Sequence, residues 1–213
     1  MRLYLSSFRI GDHPEHLVAM IKGPGNVAVI ANAMDGAPAD VRRQAVELEA
    51  TVLSDLGLRP SELDLRDYPD APARLAETLA GFQAVWVRGG NVFMLRHALA
   101  SSGGDDVLSD LVRRDALVYA GYSAGPCVLA PSLLGLEHCD DPGAVARTYG
   151  VPARFDGLGL LDHAFVPHVD SPDHPESSML NEVAARYRRD GVPHRTLRDG
   201  EVLVVSGGVA ELV

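Results

Sequence analysis

A serine between two glycines marks the point where a strand-like segment passes into a helical one. The residues Gly121-Tyr122-Ser123-Ala124-Gly125 form a G-x-S-x-G pattern at the end of the apolar run 117–121. A serine can project its hydroxyl from such a cramped turn only where small neighbours leave room for the backbone, and the two glycines leave that room. The Ala124 amide, at the start of the helix, would then face an oxyanion. The pattern predicts that Ser123 is a nucleophile, and the alternative is a plain turn with a capping serine.

A second glycine-rich turn follows another strand-like segment. Arg88-Gly89-Gly90-Asn91 comes directly after Val85-Trp86-Val87, and a turn of this kind presents a bare backbone amide to the neighbouring strand end. We expect Gly90 to supply a second oxyanion donor and Asn91 to offer its side-chain amide to the substrate. The alternative is that Asn91 only caps the helix that follows.

A serine hydroxyl is a weak nucleophile unless a base lies within hydrogen-bond reach. Of the eight histidines, only His163 and His168 flank a strand-like run, 164–167. His168 follows the carboxyl end of this run, where the ligand crevices of parallel sheets lie, so we expect it to be the base. A carboxylate must then fix the tautomer of the imidazole, and Asp199, at a turn between late strands, is slightly preferred. The competing carboxylates are Asp140 and Asp141.

Several residues around the expected base are also potential metal ligands, because imidazole and carboxylate groups bind zinc. They are His163, His168, Asp170 and His174. Their spacing matches no common zinc motif, and Pro167 and Pro172 interrupt any helical display. We therefore expect no metal site here.

The elements that must position these residues alternate between short strands and helices. Strict alternation implies a parallel sheet that is covered on both faces, with its ligand crevice beyond the carboxyl ends of the strands. Short runs rich in Val, Ile, Leu and aromatic residues predict the strands. These runs are 2–6, 26–31, 62–66, 84–88 and 117–121, then 164–167, and in the tail 196–197, 202–205 and 209–212.

The clearest helix lies between the second and third of these strands. Apolar residues spaced by three and four positions share one face of it, which we expect to be buried. They are Val41, Ala45, Leu48, Val52 and Leu56. Asp40 is the expected N-cap and Gly57 the expected stop. Further helices are predicted at 72–79, 92–100, 105–113 and about 176–189.

Composition and charge restrict the class of protein. The chain has 213 residues, 46% of them hydrophobic and 23% charged, which is typical of a soluble globular protein and suits a single domain over 1–213. No run approaches the roughly 18 apolar residues of a membrane span. Residues 1–9 turn polar too early for a signal peptide. Because Cys127 and Cys139 cannot form a disulfide framework, we expect a cytoplasmic protein.

The net charge of −10 bears on the partners of the protein. Nucleic-acid binding needs a positive stripe that displaces counterions, and the basic residues here are scattered. We therefore expect neither a nucleic-acid nor a membrane partner. Composition and charge leave the possibility of a homodimer open.

Taken together, three motifs resemble those of one peptidase family. Gly89-Gly90-Asn91-Val92-Phe93, Gly121-Tyr122-Ser123-Ala124-Gly125 and Pro167-His168 occur in the order and spacing of the peptidase E, or aspartyl dipeptidase, family, and the resemblance covers nearly the whole chain. It implies the α/β fold of the class I glutamine amidotransferases, a flavodoxin-like three-layer sandwich with a mostly parallel central sheet. It also implies cleavage of dipeptides with an N-terminal aspartate, without a metal or an organic cofactor.

The resemblance assigns a role to individual residues of this chain. Ser123 becomes the nucleophile and His168 the base, and Gly90 and Ala124 become the oxyanion donors. The third member of the triad in this family is often a glutamate in a late strand-turn. Asp199 fits that place with a shorter side chain.

Two departures from the family concern the substrate. Family members carry an arginine in the segment after the histidine that helps to hold the substrate aspartate, whereas residues 169–176 contain none. Conversely, Arg88 stands where those members typically have a glycine. We expect Arg88 to bind the acidic side chain of the substrate with its bidentate fork. The alternative is that Arg88 points away from the cleft into a salt bridge.

The leading hypothesis is therefore a serine-type dipeptidase that acts on short, acidic peptides through a Ser-His-Asp triad and an acyl-enzyme. One alternative is a small serine esterase with the α/β-hydrolase fold, which would combine Ser123 and His168 with an acid such as Asp141. The other is a non-catalytic binding protein on the amidotransferase-like fold, because fold alone does not guarantee chemistry.

Overall fold

A seven-stranded sheet forms the centre of the protein, and the computed structural model describes all residues from 1 to 213. The strands of this sheet are β1 (Arg2–Ser6), β2 (Asn26–Ile30), β3 (Arg59–Glu62), β4 (Ala84–Val87), β5 (Val118–Tyr122), β8 (Val202–Ser206) and β9 (Val209–Leu212). A separate parallel pair consists of β6 (Ala164–Val166) and β7 (His194–Thr196).

The order of the strands brings β4, β5 and β1 side by side in the middle of the sheet. The full order is β3-β2-β4-β5-β1-β8-β9. The first five strands in this order run parallel. Strand β8 pairs antiparallel with β1, and β9 pairs antiparallel with β8. In the register, Ala120 of β5 lies opposite Tyr4 of β1 and Trp86 of β4. The carboxyl ends of the three central strands therefore meet at one edge.

Helices cover both faces of the sheet. They are α1 (Pro14–Ile21), α2 (Ala39–Asp55), α3 (Pro72–Leu79), α4 (Val92–Ser102), α5 (Gly104–Arg113), α6 (Ala124–Cys127), α7 (Gly143–Tyr149) and α8 (Ser177–Asp190). A core of 39 buried residues packs one face of the sheet against α3 to α8, and a smaller core of 15 packs the other face against α1 and α2. This arrangement confirms the predicted three-layer α/β sandwich with a mostly parallel sheet.

The prediction of the third strand was wrong. The third strand occupies Arg59–Glu62 rather than 62–66, and residues 65–67 form a single turn of 3₁₀ helix. The sequence of this strand, Arg-Pro-Ser-Glu, has no apolar alternation because β3 is the mostly exposed edge of the sheet. Helices α1 and α7 were not predicted.

The buried face of α2 also differs from the prediction. Val41 and Leu48 are exposed, whereas Arg42 and Glu49 are among the buried residues of this helix. Arg42 is buried because it forms ion pairs with three carboxylates, Asp35, Glu62 and Asp64. The helix has no side-chain N-cap at Asp40, since Pro38 occupies the cap position. Apolar spacing alone therefore indicated the wrong face of a helix that buries charges.

No helix in the chain combines the length and the apolar character that crossing a bilayer requires.

Candidate active site

A cleft opens at the carboxyl ends of β1, β4 and β5, where a ligand crevice is expected in a parallel sheet. Its volume of about 220 Å³ is below the roughly 300–1,000 Å³ of pockets for drug-sized ligands, so it suits a small substrate. Polar and charged residues dominate the lining. They include Arg9, Arg88, Ser123, His168, His174 and Glu176.

Ser123 stands at the crest of a strained turn between β5 and α6. Its backbone angles are φ 53° and ψ −111°, in a region that side-chain-bearing residues rarely adopt. The turn presses against β4: a methyl group on Gly121 would overlap the Val87 carbonyl oxygen, and one on Gly125 would lie 2.5 Å from it. The two glycines are therefore required by close approach of the backbone, and the serine hydroxyl projects into the cleft.

His168 and Asp199 complete a chain of hydrogen bonds with this serine. The Ser123 hydroxyl lies 3.2 Å from His168 Nε2, and His168 Nδ1 lies 2.6 Å from Asp199 Oδ1. His168 follows β6 and Asp199 follows β7, so the small parallel pair delivers both groups to the same place. This is the geometry in which a neutral imidazole can accept a proton from a serine.

Burial changes the acid-base behaviour of this histidine. The His168 side chain is 1% exposed, and this burial lowers the pKa of its imidazole below the ordinary value of 6.5. The hydrogen bond that His168 donates to Asp199 acts in the opposite direction and offsets part of the effect. The imidazole is therefore neutral, and able to act as a base, at neutral pH.

Two backbone amides beside the serine have no hydrogen-bond partner in the protein. One belongs to Gly90, which lines the cleft on the turn after β4, and the other to Ala124, the first residue of α6. An unpaired donor near a reacting carbonyl can stabilise developing negative charge. Both predicted oxyanion donors are thus available in the folded protein.

The loop after β1 forms the wall of the cleft, and the sequence analysis did not single it out. The Phe8 ring packs edge-on against His168 and His174, with ring centroids 5.7 Å and 5.1 Å apart. Ser7 lies behind the wall, where its hydroxyl contacts both His168 and Asp199. The available signal was a polar residue, Ser7, directly after a strand of a parallel sheet.

Arg88 combines the two alternatives that the sequence left open, a place in the cleft and a salt bridge. Its side chain lines the cleft, and its Nε also lies 3.3 Å from Oε1 of Glu49 in an ion pair. Glu49 is buried and accepts hydrogen bonds from Trp86 Nε1 and the Tyr122 hydroxyl. The buried Glu49 carboxylate therefore partly balances the charge of Arg88.

Two other charged groups of the cleft have no partner. The Arg9 guanidinium forms no ion pair and lies 5.2 Å from the centroid of the Phe8 ring. The Glu176 carboxylate forms no hydrogen bond or ion pair, and it lines both the cleft and a smaller pocket behind Ser123. The sequence analysis missed both residues, because neither belongs to a motif.

Three residues considered for the site are engaged elsewhere. The Asn91 side chain caps α4 through the amides of Phe93 and Met94 and donates to the Asp141 carbonyl, so the structure does not bring it into the cleft. Asp141 pairs with Arg147, and Asp140 accepts a hydrogen bond from the Val92 amide. Neither competitor of Asp199 contacts His168.

One group of potential metal ligands lies in the site. Ligand atoms of His168, His174 and Asp199 lie within 4.8 Å of one another, and His163 and Asp170 are not part of this group. The two imidazole rings stack face to face, 3.6 Å apart with planes 3° from parallel. Their nitrogen lone pairs therefore run in parallel planes rather than converge on one ion, as a zinc site requires. The geometry does not fit a metal site.

The family of the chain follows from comparisons with known proteins. The model of peptidase family S51 matches residues 17–213. Peptidase E of Streptomyces coelicolor is 36% identical over 148 residues, which cover 67% of this chain and 55% of that protein. A protein of Drosophila melanogaster named "Probable alpha-aspartyl dipeptidase" is 30% identical over 156 residues, 70% of this chain and 59% of that protein.

A solved structure shows the same fold. The crystal structure of a provisional peptidase E from Listeria monocytogenes has a TM-score of 0.80 at 20% sequence identity and covers 100% of this chain and 97% of its own. The similarity to this fold and the match to the family together exclude the alternative of an α/β-hydrolase fold. The chain belongs to peptidase family S51 and is a serine-type hydrolase of the aspartyl dipeptidase kind.

Proposed function

We propose that the protein is a serine dipeptidase that hydrolyses short peptides with an N-terminal aspartate, through an acyl-enzyme on Ser123. The observation that carries this proposal is the unbroken chain of hydrogen bonds from Asp199 through His168 to Ser123. A carboxylate in that position fixes the tautomer of the imidazole and stabilises the imidazolium that forms. The names of the two relatives, peptidase E and alpha-aspartyl dipeptidase, support the same reaction.

The proposed reaction has two halves. His168 Nε2 accepts the hydroxyl proton while Ser123 Oγ attacks the scissile carbonyl carbon, and the amides of Gly90 and Ala124 donate to the oxygen that becomes negative. Collapse of the tetrahedral intermediate breaks the C–N bond, and His168 gives its proton to the leaving amine. Water, deprotonated by the same imidazole, then hydrolyses the ester and restores the serine hydroxyl.

The charges of the cleft support a substrate with both an ammonium and a carboxylate group. Glu176 is the unpaired anion, and it suits the free α-ammonium group of a peptide. Arg9 and Arg88 are the cations, of which Arg88 is shared with the buried Glu49. An arginine fork binds a carboxylate in a bidentate manner, so these two residues are the candidates for the acidic side chain of the substrate.

Replacement of the nucleophile tests the reaction itself. We expect Ser123→Ala to reduce hydrolysis of an Asp-X dipeptide by at least about 10³-fold and to abolish labelling by a fluorophosphonate, because covalent catalysis is lost. Melting temperature serves as the control for folding. A variant that hydrolyses the dipeptide as fast as wild type would show that Ser123 is not the nucleophile.

A panel of dipeptides tests the substrate. Peptides that begin with Asp, Glu, Asn and Ala are assayed with wild type, Arg9→Ala and Arg88→Ala, and with Arg188→Ala as the control for an exposed arginine without an ion pair. If either cleft arginine binds the acidic side chain, its loss raises KM for the Asp peptide and leaves the Ala peptide unaffected. Equal rates for all four peptides with wild type would contradict the proposed specificity.

A further inference from the structure

The hydroxyl of Ser7 lies at the centre of the hydrogen bonds that hold the catalytic pair. Ser7 is fully buried at the end of β1. Its Oγ accepts a hydrogen bond from the His168 backbone amide at 2.8 Å and lies 3.0 Å from Asp199 Oδ1. The Leu197 carbonyl is farther away, at 3.4 Å. A hydroxyl has one proton to donate, and the charged oxygen is the stronger and nearer acceptor.

Ser7 therefore contacts the histidine and its carboxylate at once. The same Asp199 oxygen accepts from His168 Nδ1 and from the Ser7 hydroxyl. The Ser7 backbone amide also donates to the Glu201 carbonyl at 3.1 Å, which ties the end of β1 to the turn that carries Asp199. We propose that Ser7 is a positioning residue for catalysis: it sets the rotation of the Asp199 carboxylate and the placement of the His168 backbone.

Both of these groups need such a restraint. The terminal torsion of an aspartate is broad, and the Asp199 side chain is 24% exposed, so its carboxylate would otherwise turn towards water. The His168 backbone has φ 59°, a left-handed conformation that costs a histidine energy unless its surroundings fix it. A single hydroxyl that accepts from the His168 amide and donates to the carboxylate restrains both.

A double-mutant cycle separates this role from a merely structural one. This inference rests on the proposed function, since Ser7 acts only through Asp199 and His168. We expect Ser7→Ala to reduce kcat about 10-fold and to leave KM within about twofold, as is typical when the partner that orients a catalytic group is lost. In an Asp199→Ala background the same substitution should cost much less than about 10-fold, because the carboxylate that Ser7 orients is gone and only its bond to the His168 amide remains.

Ser102→Ala is the matched control, since Ser102 is a fully buried serine of α4 whose hydroxyl bonds only to the Ala98 and Leu99 carbonyls and the Gly104 amide, none of which lines the cleft. It should leave kcat within about twofold of wild type. If Ser7→Ala does not fold, Ser7→Cys replaces it. A thiol is somewhat larger than a hydroxyl and only a weak donor, so we expect the same loss of kcat.

The rate of labelling of Ser123 by a fluorophosphonate is measured beside dipeptide hydrolysis, because it reports activation of the serine without a peptide substrate. A labelling rate that falls about 10-fold with Ser7→Ala alone supports the inference. Wild-type labelling with Ser7→Ala would overturn it, and so would a 10-fold further loss in the Asp199→Ala background. A wild-type protein that is neither labelled nor active on any dipeptide would instead refute the proposed function, and the inference with it.

Discussion

Asp140 is a carboxyl group beside the site whose ionisation should control stability. It lines the small pocket behind Ser123, and its Oδ2 accepts a hydrogen bond from the Val92 amide at 2.8 Å. Burial raises the pKa of this carboxyl from 3.8 to about 7, and the negative charge of Glu176 adds to the effect although the Val92 amide opposes it. The folded protein therefore holds a proton on Asp140 that the unfolded chain releases near pH 4.

The direction of the pH dependence follows from this difference. Between pH 4 and pH 7 the folded state binds more protons at this position, so its contribution to stability is present at low pH and is lost as the pH rises. One pH unit of displacement corresponds to about 1.4 kcal/mol, so the full effect above pH 7 is about 4 kcal/mol. Asp140→Asn is neutral at every pH and keeps an oxygen for the Val92 amide.

We therefore expect Asp140→Asn to gain stability relative to wild type as the pH rises. Between pH 5.5 and 8.5 the difference in the free energy of unfolding should grow by about 2 kcal/mol, at about 1.4 kcal/mol per pH unit up to pH 7. Urea unfolding measures it, with the fluorescence of Trp86, the one tryptophan, as the probe. The range begins above the pI of 5.2, where solubility is lowest.

The neighbouring residue provides the matched control. Asp141 is exposed, and its ion pair with Arg147 lowers the pKa of its carboxyl, so it stays ionised over the whole range. Asp141→Asn should shift stability by the same amount at every pH. All other groups titrate alike in wild type and variant, and their contributions cancel in the difference. A difference for Asp140→Asn that stays flat from pH 5.5 to 8.5 would refute the argument from burial.

Two further predictions concern His168, the proposed base, and the turn that carries Ser123. Because burial lowers the pKa of His168, kcat/KM should fall on acidification with a midpoint below pH 6.5, and a midpoint at or above 6.5 in a pH–rate profile would contradict this. Gly121→Ala places a methyl group on the Val87 carbonyl and should lower the free energy of unfolding by about 1–3 kcal/mol in urea, whereas Gly81→Ala, with its nearest contact at 3.4 Å, should change it by less than about 1 kcal/mol.

The layers of the fold could be predicted because they follow from local patterns. The strands β4 and β5 are buried on both faces, and their sequences are accordingly continuous apolar runs. The pattern failed at β3, an exposed edge strand, and on α2, where Arg42 and Glu49 are buried among charged and polar partners. Burial of charge depends on partners that are distant in the sequence, and a single-residue scale assigns such residues to the surface.

The site could be predicted only where a residue follows a strand end within a motif. Ser123, Gly90 and His168 met this condition, and the carboxyl ends of their strands converge on one cleft. Ser7 follows β1 but belongs to no motif, so its role could not be predicted. The sequence around Asn91 is the same whether its side chain faces a substrate or caps a helix, so the sequence could not distinguish the two. The choice of Asp199 over two other aspartates depended on a contact across 31 residues, which spacing alone does not determine.

The end of β1 joins the two sheets that carry the proposed catalytic groups. Ser123 belongs to the main sheet, whereas His168 and Asp199 follow the separate pair β6 and β7. The Ser6 carbonyl accepts a hydrogen bond from the Ser123 amide at 3.3 Å, and Ser7 holds the other two residues. One buried segment thus sets the distance between Ser123 and His168.

Two of the charged side chains that face the cleft, unlike the buried groups at the end of β1, are not fixed by hydrogen bonds to neighbours. Arg9 and Glu176 lie on its surface, have no partners and take no part in the hydrogen bonds of the triad. A substitution there changes which charged groups a substrate meets and leaves the buried contacts behind His168 intact. Substrate preference should therefore be able to vary within this architecture without loss of catalysis, since the proposed substrate contacts lie on the open side of the cleft and the proposed triad on the buried side.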